Sequence, residues 1–401
     1  MEIDTLRKLD SSLGPVLCKF LLFLRSVSQT IIPQDTALIT KEPENILVMK
    51  FFGMGSILLA SPSLRELKKK YKSAKITVFT LLSNRELCDI LDSIDDVICL
   101  DINGPLSFLK SFRRAIFDIR KRRFAIIINL EFLTNFSILV TLLVTFLKKP
   151  SIKVGFSSPY SWRNSVHDIN VCFDHSKHIM KIFAKTVSSL TGEFFVPSLE
   201  PERALLLAKR EAGYREKLVR ENSDLAYCSF FVCVNINAGE LSLQRRWPKE
   251  YFAQIINSLI KRPQIAIFLI GGRQDVEYVS QFKKLLAQSS RVIDVCGKTN
   301  LKELIGLFSE SSLFIANDGG PLHFAVAIGL PTVSFFGPET PHLYGPLNGE
   351  EHHVFYEDLF CSPCLTIYNS KMYYCKNNLC LKSIKPEKVL KVIEDSYLPN
   401  K

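Results

Sequence analysis

The sequence lacks the motifs that mark several large functional classes. It contains no zinc-finger spacing with paired histidines and no RNP-type strand of interleaved aromatic and basic residues, so no nucleic-acid-binding module is predicted. The segment Gly297-Lys298-Thr299 is too short for a P-loop, which needs the pattern G-x-x-x-x-G-K-[ST]. No Asp-X-Asp motif is present, so a divalent ion bound to a nucleotide is not implied. No arrangement of Ser, His and Asp suggests a hydrolase.

The N-terminus also lacks the features of a secretory signal. It starts with the acidic residues Glu2 and Asp4, and it has neither a basic region before an apolar run nor a small-residue cleavage site. Eleven cysteines, an odd number, are scattered mostly in apolar runs, as Cys99 and Cys233 are. This distribution is typical of reduced thiols, so we expect a cytoplasmic protein.

Length and charge narrow the classes further. The 401 residues favour two domains, and a hydrophobic content of 47% is enough for two buried cores. The net charge of +11 is spread along the chain and indicates an anionic partner. Since no nucleic-acid module is present, an anionic membrane surface and a phosphorylated sugar are the partners that we expect.

Apolar strands alternate with helical segments in both halves of the chain. This alternation predicts an α/β protein with two Rossmann-like, doubly wound parallel-sheet domains. The strands are predicted at residues 45–51, 75–80, 96–101, 124–130, 152–156, 230–236, 264–270, 291–296, 312–316 and 331–336. Residues 158–225 are interpreted as a less regular connector with a charged helix at 202–221.

Two apolar segments raise the question of a membrane. Residues 13–32 are interrupted by Lys19 and Arg25, so we expect either an amphipathic helix on a membrane surface, with residues 20–24 inserted, or a helix packed on its own protein. Residues 124–147 carry Glu131 as their only charge and have the hydropathy of a spanning helix. We interpret them as a strand, a turn and a buried helix beginning near Thr134, because a spanning helix would break the alternation.

Basic clusters decorate the first half of the chain. They form either a solvated face or a patch that faces anionic lipid or a phosphorylated, lipid-linked acceptor. Their members are Lys68, Lys69, Lys70, Lys72, Lys75, Arg113, Arg114, Arg120, Lys121, Arg122 and Arg123.

The segment at residues 314–346 carries the strongest functional signal. A short apolar strand is followed by the turn Asn317-Asp318-Gly319-Gly320, and Pro321 then starts a helix of small residues. A glycine turn before a helix N-terminus directs backbone N–H groups and the helix dipole at an anion. Asp318 does not suit a phosphate but suits the hydroxyl groups of a sugar. The turn therefore predicts a sugar diphosphate ligand.

The same segment resembles the signature of the family-9 glycosyltransferases, the heptosyltransferase group. The matching motifs are Asn-Asp-Gly-Gly-Pro-Leu-His, Ala-X-Ala-X-Gly-X-Pro-Thr-Val, Phe-Gly-Pro and a later Gly-Pro. A generic βαβ unit would explain the strands and the helix but not the Asp, His and Gly-Pro positions together. The resemblance implies a GT-B architecture with two domains facing a central cleft. With it we expect a membrane-associated segment at 1–40, an acceptor-binding domain at 41–220 and a nucleotide-sugar-binding domain at 221–401.

The resemblance also implies an activity and a donor site. The activity is inverting, metal-independent transfer of a heptose-type sugar from a nucleotide diphosphate sugar to lipopolysaccharide or another surface glycan, at the cytoplasmic face of the inner membrane. Arg245, or Arg246 beside it, matches the basic residue that holds the donor phosphates, and Gln274 or Asp275 matches the ribose position. Surface arginines before a helix and a capping or core histidine at 323 are the alternatives. The expected donor-binding residues are Asn237, Arg245, Arg246, Gln274, Asp275, Lys298, Asp318, Gly319, Gly320, Pro321, Leu322 and His323.

One position departs from the family pattern. The turn after the first strand ends in Gly-Asp in the family, and the aspartate is the general base, whereas here Ser56 follows Gly55. Glu131 follows the fourth strand, which neighbours the first in the common strand order. We therefore expect Glu131 to be the general base or to orient it, with Ser56 bonding the acceptor, unless Glu131 merely stabilises a helix N-terminus.

The departure keeps a second class open, a non-catalytic nucleotide-sugar-binding or assembly protein. A nucleotide-dependent dehydrogenase is less well supported, because the turn lacks the full G-x-G-x-x-G and its later ribose acid.

The C-terminal region holds four closely spaced cysteines. Cys361 and Cys364 are separated by two residues, and Cys375 and Cys380 by four. Such pairs predict a structural zinc site, with free thiols or a disulfide as the alternatives. No cofactor is expected to be required for the reaction.

Overall fold

Parallel strands alternating with helices build two six-stranded sheets, one in each half of the chain. The computed structural model describes residues 3–31, 42–132, 134–146, 151–199, 214–239, 243–347, 349–367 and 375–399. The chain divides into one unit of residues Met1–Ser198 and a second of Leu199–Lys401. The N-terminal segment thus belongs to the first unit. The domain boundary predicted from the sequence lies later, at residue 220.

The first unit has the strand order β3-β2-β1-β4-β5-β6, with all pairs parallel. The order reverses between β1 and β4, which are neighbours as predicted. Its elements are α1 (Ile3–Ser12), α2 (Gly14–Ile31), β1 (Asn45–Met49), α3 (Met54–Lys70), β2 (Lys75–Leu81), α4 (Arg85–Ile90), β3 (Asp96–Leu100), α5 (Pro105–Arg122), β4 (Ile126–Asn129), α6 (Asn135–Thr145), β5 (Ile152–Phe156), α7 (Ser161–Asn164), β6 (Ile169–Val171) and α8 (Ile179–Thr191).

The second unit repeats this order as β12-β11-β10-β7-β8-β9, with the reversal between β7 and β10. A ligand site in such a sheet lies outside the carboxyl ends of the strands at the reversal. The elements are α9 (Tyr214–Glu221), β7 (Phe230–Asn235), α10 (Lys249–Leu259), β8 (Ile265–Leu269), α11 (Val276–Lys283), β9 (Val292–Asp294), α12 (Leu301–Ser309), β10 (Leu313–Asn317), α13 (Gly320–Ala327), β11 (Thr332–Phe336), α14 (Pro341–Tyr344), β12 (His352–Tyr356), α15 (Leu379–Lys382) and α16 (Pro386–Ser396).

Every strand predicted from the sequence is present, and its ends lie within two residues of the prediction. Two of the four edge strands, β6 and β12, were not predicted. β6 has three residues, too few for a pattern, and β12 begins with two histidines rather than an apolar run. Part of the predicted connector is regular, since it contains β6 and α8, and most of its predicted charged helix lies outside the described residues.

The central strands are apolar on both faces because helices cover both sides of each sheet. Every residue of β7, β8, β10 and β11 is buried. Trp247, fully buried before α10, stacks on Phe335 of β11 with ring centroids 4.1 Å apart, and its indole N–H donates to the carbonyl of Ile384 at 3.0 Å. This stack fixes the loop that leads from β7 into α10.

The long apolar run of the first unit is a strand and a helix, as predicted. β4 ends at Asn129, and α6 begins after Thr134, whose hydroxyl accepts from the amide of Ser137 at 3.2 Å. No side chain of α6 is exposed, because the helix lies between α2 and α5 and packs against both. Among the described residues, no helix is both long and apolar enough to cross a membrane.

The N-terminal helices pack on this unit. Gly14 allows close contact with α6, since a Cβ there would lie 2.6 Å from the Cβ of Asn135. Asp10 accepts from the amides of Asn135 and Phe136 at 2.8 and 2.6 Å and so caps α6. Leu21 and Leu22 pack against α6, so the prediction that they insert into a membrane is wrong.

Candidate functional site

The strand ends at the reversal of the second sheet are joined by one side chain. Asn317, buried at the end of β10, accepts from the amide of Trp247 at 2.8 Å and donates to the carbonyl of Ile236 at 2.9 Å and that of Asn237 at 3.3 Å. The first residue of the Asn-Asp-Gly-Gly turn is therefore a clamp between three chain segments. This role leaves the next residue, Asp318, as the group that faces the site.

Asp318 forms an ion pair with Arg245. One terminal nitrogen of Arg245 lies 3.0 Å from Oδ2 of Asp318, and the other donates to the carbonyl of Ala238. The two side chains are 14% and 6% exposed, and Nε of Arg245 has no partner in the described structure. Sequence motifs 73 residues apart thus meet at one point, with a cation beside a carboxylate.

The N-terminus of α13 supplies fewer amides than the sequence suggested. Gly319 is extended and precedes the helix, Pro321 has no N–H, and the amide of Leu322 donates to the carbonyl of Gly319 at 3.1 Å. Of the amides predicted to hold a diphosphate, at 320–322, that of Gly320 remains available. It lies two residues beyond Asp318, next to the ion pair.

His323, in the first turn of α13, is buried beneath the same pair. Burial lowers its pKa to about 4, while Asp318 opposes this shift and Arg245 adds to it. The lowered pKa favours a neutral imidazole at pH 7, and the predicted role of His323 in donor binding stays a prediction.

Arg246 points away from Arg245. Its guanidinium lies over the ring of Tyr278, 4.0 Å from the centroid, and one terminal nitrogen is 3.9 Å from Oδ1 of Asp275. Asp275 accepts from the amide of Gly272 at 2.9 Å, and burial raises its pKa, against the effects of Gly272 and Arg246. The two arginines therefore serve separate parts of one edge of the sheet.

Asn237 lies between these two parts. It is 2% exposed, and both polar atoms of its side chain lack a partner in the described structure. A Cβ on Gly271 would lie 2.9 Å from its amide nitrogen and 3.1 Å from the Cβ of Asp275, so these residues are in contact. An unpartnered buried amide is costly, and a bound polar group would satisfy it.

Gln274 and Lys298, the other predicted donor residues, are exposed. The side chain of Gln274 lies over Gly272, where a Cβ would meet its terminal amide at 2.5 to 2.6 Å. Lys298 donates to the carbonyl of Asp294 at 2.8 Å. Neither contacts the Arg245–Asp318 pair in the described structure, and their role in binding stays a prediction.

The first unit holds Glu131 in a buried ion pair. Oε1 of Glu131 accepts from Nζ of Lys50 at 2.8 Å and from the amides of Phe51 and Phe52 at 2.7 and 3.0 Å. The side chains of Lys50 and Glu131 are 6% and 3% exposed. Three donors occupy one oxygen, so Glu131 fastens β4 to the turn after β1. The first amides of α6 are instead bonded to Asp10 and Thr134, so Glu131 is not the hydrogen-bonding cap of that helix.

Ser56 lies in the first turn of α3, at the end of this fastened turn. Its amide donates to the carbonyl of Gly53 at 2.9 Å, and Gly53 has a φ of +85°, which favours glycine. Ser56 and Glu131 share one edge of the sheet, but no hydrogen bond joins them in the part of the chain that the structure describes. Glu131 as a general base stays a prediction that this geometry does not favour.

The sequence and fold match known proteins. A family model described as glycosyltransferase family 9 (heptosyltransferase) matches residues 112–374, more than half of the chain. The chain belongs to this family.

Curated relatives of this family-9 chain cover it to different extents. Lipopolysaccharide heptosyltransferase 1 of Campylobacter coli is 23% identical over 368 residues, which are 88% of this chain and 98% of that protein. Lipooligosaccharide heptosyltransferase 2 of Campylobacter jejuni (serotype O:6) is 31% identical over 156 residues, or 39% of this chain. That match spans about half of the relative, 48% of its length.

A solved structure confirms the predicted GT-B fold. The Escherichia coli ADP-heptose lipopolysaccharide heptosyltransferase II superposes with a TM-score of 0.64 at 18% identity, over 88% of this chain and 98% of that one. At this identity the match shows the fold and not the ligand.

The four cysteines of this family-9 chain lie near one another. Burial raises the pKa of the Cys364 thiol to about 11, and the other three thiols add to the shift. Yet the described residues contain no group of three or more His, Cys, Asp or Glu side chains placed to hold a metal ion. Bound zinc at these cysteines therefore stays a prediction.

Proposed function

We propose that the protein is an inverting, metal-independent glycosyltransferase that transfers a heptose-type sugar from a nucleotide diphosphate sugar to lipopolysaccharide or another surface glycan. The Arg245–Asp318 pair beside the N-terminus of α13 is the observation that carries this proposal. It provides a cation and a helix dipole for a diphosphate and a carboxylate for sugar hydroxyls.

The diphosphate would bind between Arg245 and the amide of Gly320. Arg245 has an unpartnered Nε and a guanidinium oriented by Asp318 and Ala238, so it is already aimed when the donor arrives. The acceptor oxygen attacks the anomeric carbon, the bond from that carbon to the phosphate oxygen breaks, and the nucleoside diphosphate leaves with both electrons. Arg245 and the dipole of α13 stabilise the charge that develops on this leaving group.

The nucleoside would lie along Arg246, Tyr278 and Asp275. The carboxylate suits ribose hydroxyls, and the buried amide of Asn237 offers both a donor and an acceptor. A relative with this fold is named for ADP-heptose, so we propose an adenosine diphosphate sugar as the donor.

The acceptor would bind to the first unit, near the fastened turn that carries Ser56. The attacking hydroxyl must lose a proton during transfer, and Ser56 alone is too weak a base to accept it. We therefore assign Glu131 a positioning role and Ser56 a hydrogen bond to the acceptor. The proton passes to solvent or to a group of the acceptor complex.

The same facts support a second candidate, a protein that binds a nucleotide sugar without transferring it. With serine at the base position and Glu131 occupied by three donors, the first unit offers weak proton-transfer chemistry. The two candidates differ in the release of nucleoside diphosphate. A non-catalytic binding protein would bind the donor but release no nucleoside diphosphate in the presence of any acceptor.

Nucleotide titration tests the donor site. We expect ADP to bind by calorimetry and Arg245→Gln to weaken binding about 10- to 100-fold, the equivalent of one charge-assisted hydrogen-bond network. Arg262→Gln is the matched control. Arg262 precedes β8, at the amino ends of the strands and away from the proposed site, and it forms a 3.1 Å ion pair with Glu394. Equal binding by the two variants would contradict the proposed site.

Two further assignments are proposals. The first is a peripheral location on the cytoplasmic face of the inner membrane, developed below. The second is the zinc predicted at the four cysteines, to which we assign no step of the reaction. Metal analysis of the purified chain decides it: about one zinc per chain, lost in Cys364→Ser, would establish the site, and its absence would remove the assignment.

A further inference from the structure

The N-terminal helices carry a continuous apolar stripe on their outer side. Its members follow one another at intervals of four and three residues, so they are neighbours along one face of the helix. Each is between 44% and 64% exposed. They are Leu9, Leu13, Val16, Phe20, Phe23 and Val27. Single exposed apolar side chains are common, but a stripe of this length indicates an interaction surface.

The opposite side of α2 packs against the protein itself. Cys18 and Gly14 are buried against α6, and Leu21 and Leu22 pack on the same cluster. The outer stripe is therefore not an unfilled part of the core, and folding of this unit leaves it in solvent.

A second helix shows the same composition. On α5, Leu106, Leu109 and Phe117 are 62% to 73% exposed. The same face of the helix carries the exposed basic residues Lys110, Arg113, Arg114 and Lys121. The described acidic side chain on α5, Asp118, faces Arg114 at 3.9 Å. A helix that exposes apolar and basic residues together is typical of the interface of an anionic bilayer.

Both surfaces lie on one side of the first sheet. α6 packs between α2 and α5, so the three helices form one layer. α3 and α8 form the other layer, because the steps from β1 to β2 and from β3 to β4 run in opposite directions across the sheet.

The positive charge beside the apolar stripe favours an anionic bilayer as its partner. Lys8 and Lys19 are exposed beside the stripe, and the acidic side chain described in α1 and α2, Asp10, is turned inward to cap α6. We propose that this layer, the stripe on α1 and α2 together with the outer face of α5, docks on an anionic lipid surface. The apolar side chains insert among the acyl chains, while the basic groups contact phosphates. The inference rests on the proposed function, because a lipid-linked acceptor is the reason for such an enzyme to remain at a bilayer.

Vesicle flotation of the full chain tests the proposal without donor or acceptor. We expect binding to vesicles of phosphatidylglycerol and phosphatidylcholine and little binding to phosphatidylcholine alone. Phe20→Ser/Phe23→Ser should weaken partitioning about 100-fold, and Lys110→Gln/Arg113→Gln about 30-fold. The control is Lys185→Gln/Phe194→Ser, which alters exposed residues in and after α8, where Phe194 is 88% exposed.

Three results would overturn the proposal. The first is no binding of the wild type to anionic vesicles. The second is binding of the stripe or α5 variants that equals that of the wild type. The third is self-association of the chain that Phe20→Ser/Phe23→Ser abolishes, without any binding to vesicles. Circular dichroism and ADP titration of each variant show that it is folded and that its second unit is intact. A failure of ADP binding alone would count against the proposed function and not against the membrane surface.

Discussion

The buried pair of Lys50 and Glu131 gives a prediction that separates positioning from catalysis. Glu131→Gln keeps the shape of the side chain but removes the charge, which leaves Lys50 buried at 6% exposure without a counter-ion. Removing one partner of a buried ion pair costs roughly 3 to 5 kcal/mol. For a unit of this size, that loss lowers the midpoint of thermal unfolding by about 6 to 20 °C.

A matched control and a second variant sharpen the test. Lys70 and Glu193 form an ion pair of 2.6 Å with side chains 38% and 66% exposed, so solvent screens the pair and Glu193→Gln should change the stability little. Lys50→Met/Glu131→Gln removes both buried charges and should recover most of the stability, although the carbonyl of Phe52 then loses its bond to Nζ. Calorimetric scans of the four proteins measure these differences.

Turnover in the same variants assigns the role of Glu131. If Glu131 positions the turn that carries Ser56, kcat falls in Glu131→Gln and recovers with stability in the double variant. A double variant that is stable yet inactive would instead make Glu131 the base. Full stability of Glu131→Gln would refute the clamp itself.

The remaining predictions concern packing, acid stability and the donor sugar. Gly14→Val should lower the free energy of unfolding by about 1 to 3 kcal/mol in urea, because a Cβ there meets Asn135 at 2.6 Å, whereas Gly104→Ala, with open space around it, should not. Burial lowers the pKa of His323 and of His167 to about 4 each, so the unfolded chain binds more protons between about pH 6.5 and 4. The stability that each contributes, up to roughly 3 kcal/mol, is present above pH 6.5 and lost as the pH falls toward 4. Urea titrations at pH 7 and pH 4.5 should show a smaller loss for His167→Phe than for the wild type, and equal losses would contradict the assignment. Asp318→Asn should bind ADP about as well as the wild type, because the loss of a negative charge beside the phosphates offsets the loss of the bond that orients Arg245. It should lose any added affinity for the ADP-sugar. Calorimetry with both ligands checks this, and an equal loss of affinity for ADP and the ADP-sugar would count against it.

The fold was predictable because its strands are continuous apolar runs. Strands buried on both faces, such as β7 and β10, are continuous apolar runs that can be identified from the sequence alone. The short edge strand β6 has no such apolar run. The helix α6 was separable from a spanning segment because Thr134 marks its start. Its contact with α2 was not visible in the sequence, because it joins residues more than 100 positions apart, such as Cys18 and Asn135.

The site was predictable in composition but not in its pairings. The motif predicted Arg245 and Asp318, but only the fold shows that they bond to each other at 3.0 Å. The motif places Asn317 in the turn, but its hydrogen bonds to Trp247 and Ile236 depend on the neighbouring strand. Lys50 gave no signal, since a lysine at the end of an apolar strand is more often exposed.

A crystal structure of the chain with ADP tests the central claim most directly. We expect a phosphate oxygen within hydrogen-bonding distance of the amide of Gly320 and of the guanidinium of Arg245, with the ribose beside Asp275. Phosphates bound elsewhere, with the Arg245–Asp318 pair unchanged and no contact to α13, would contradict the account.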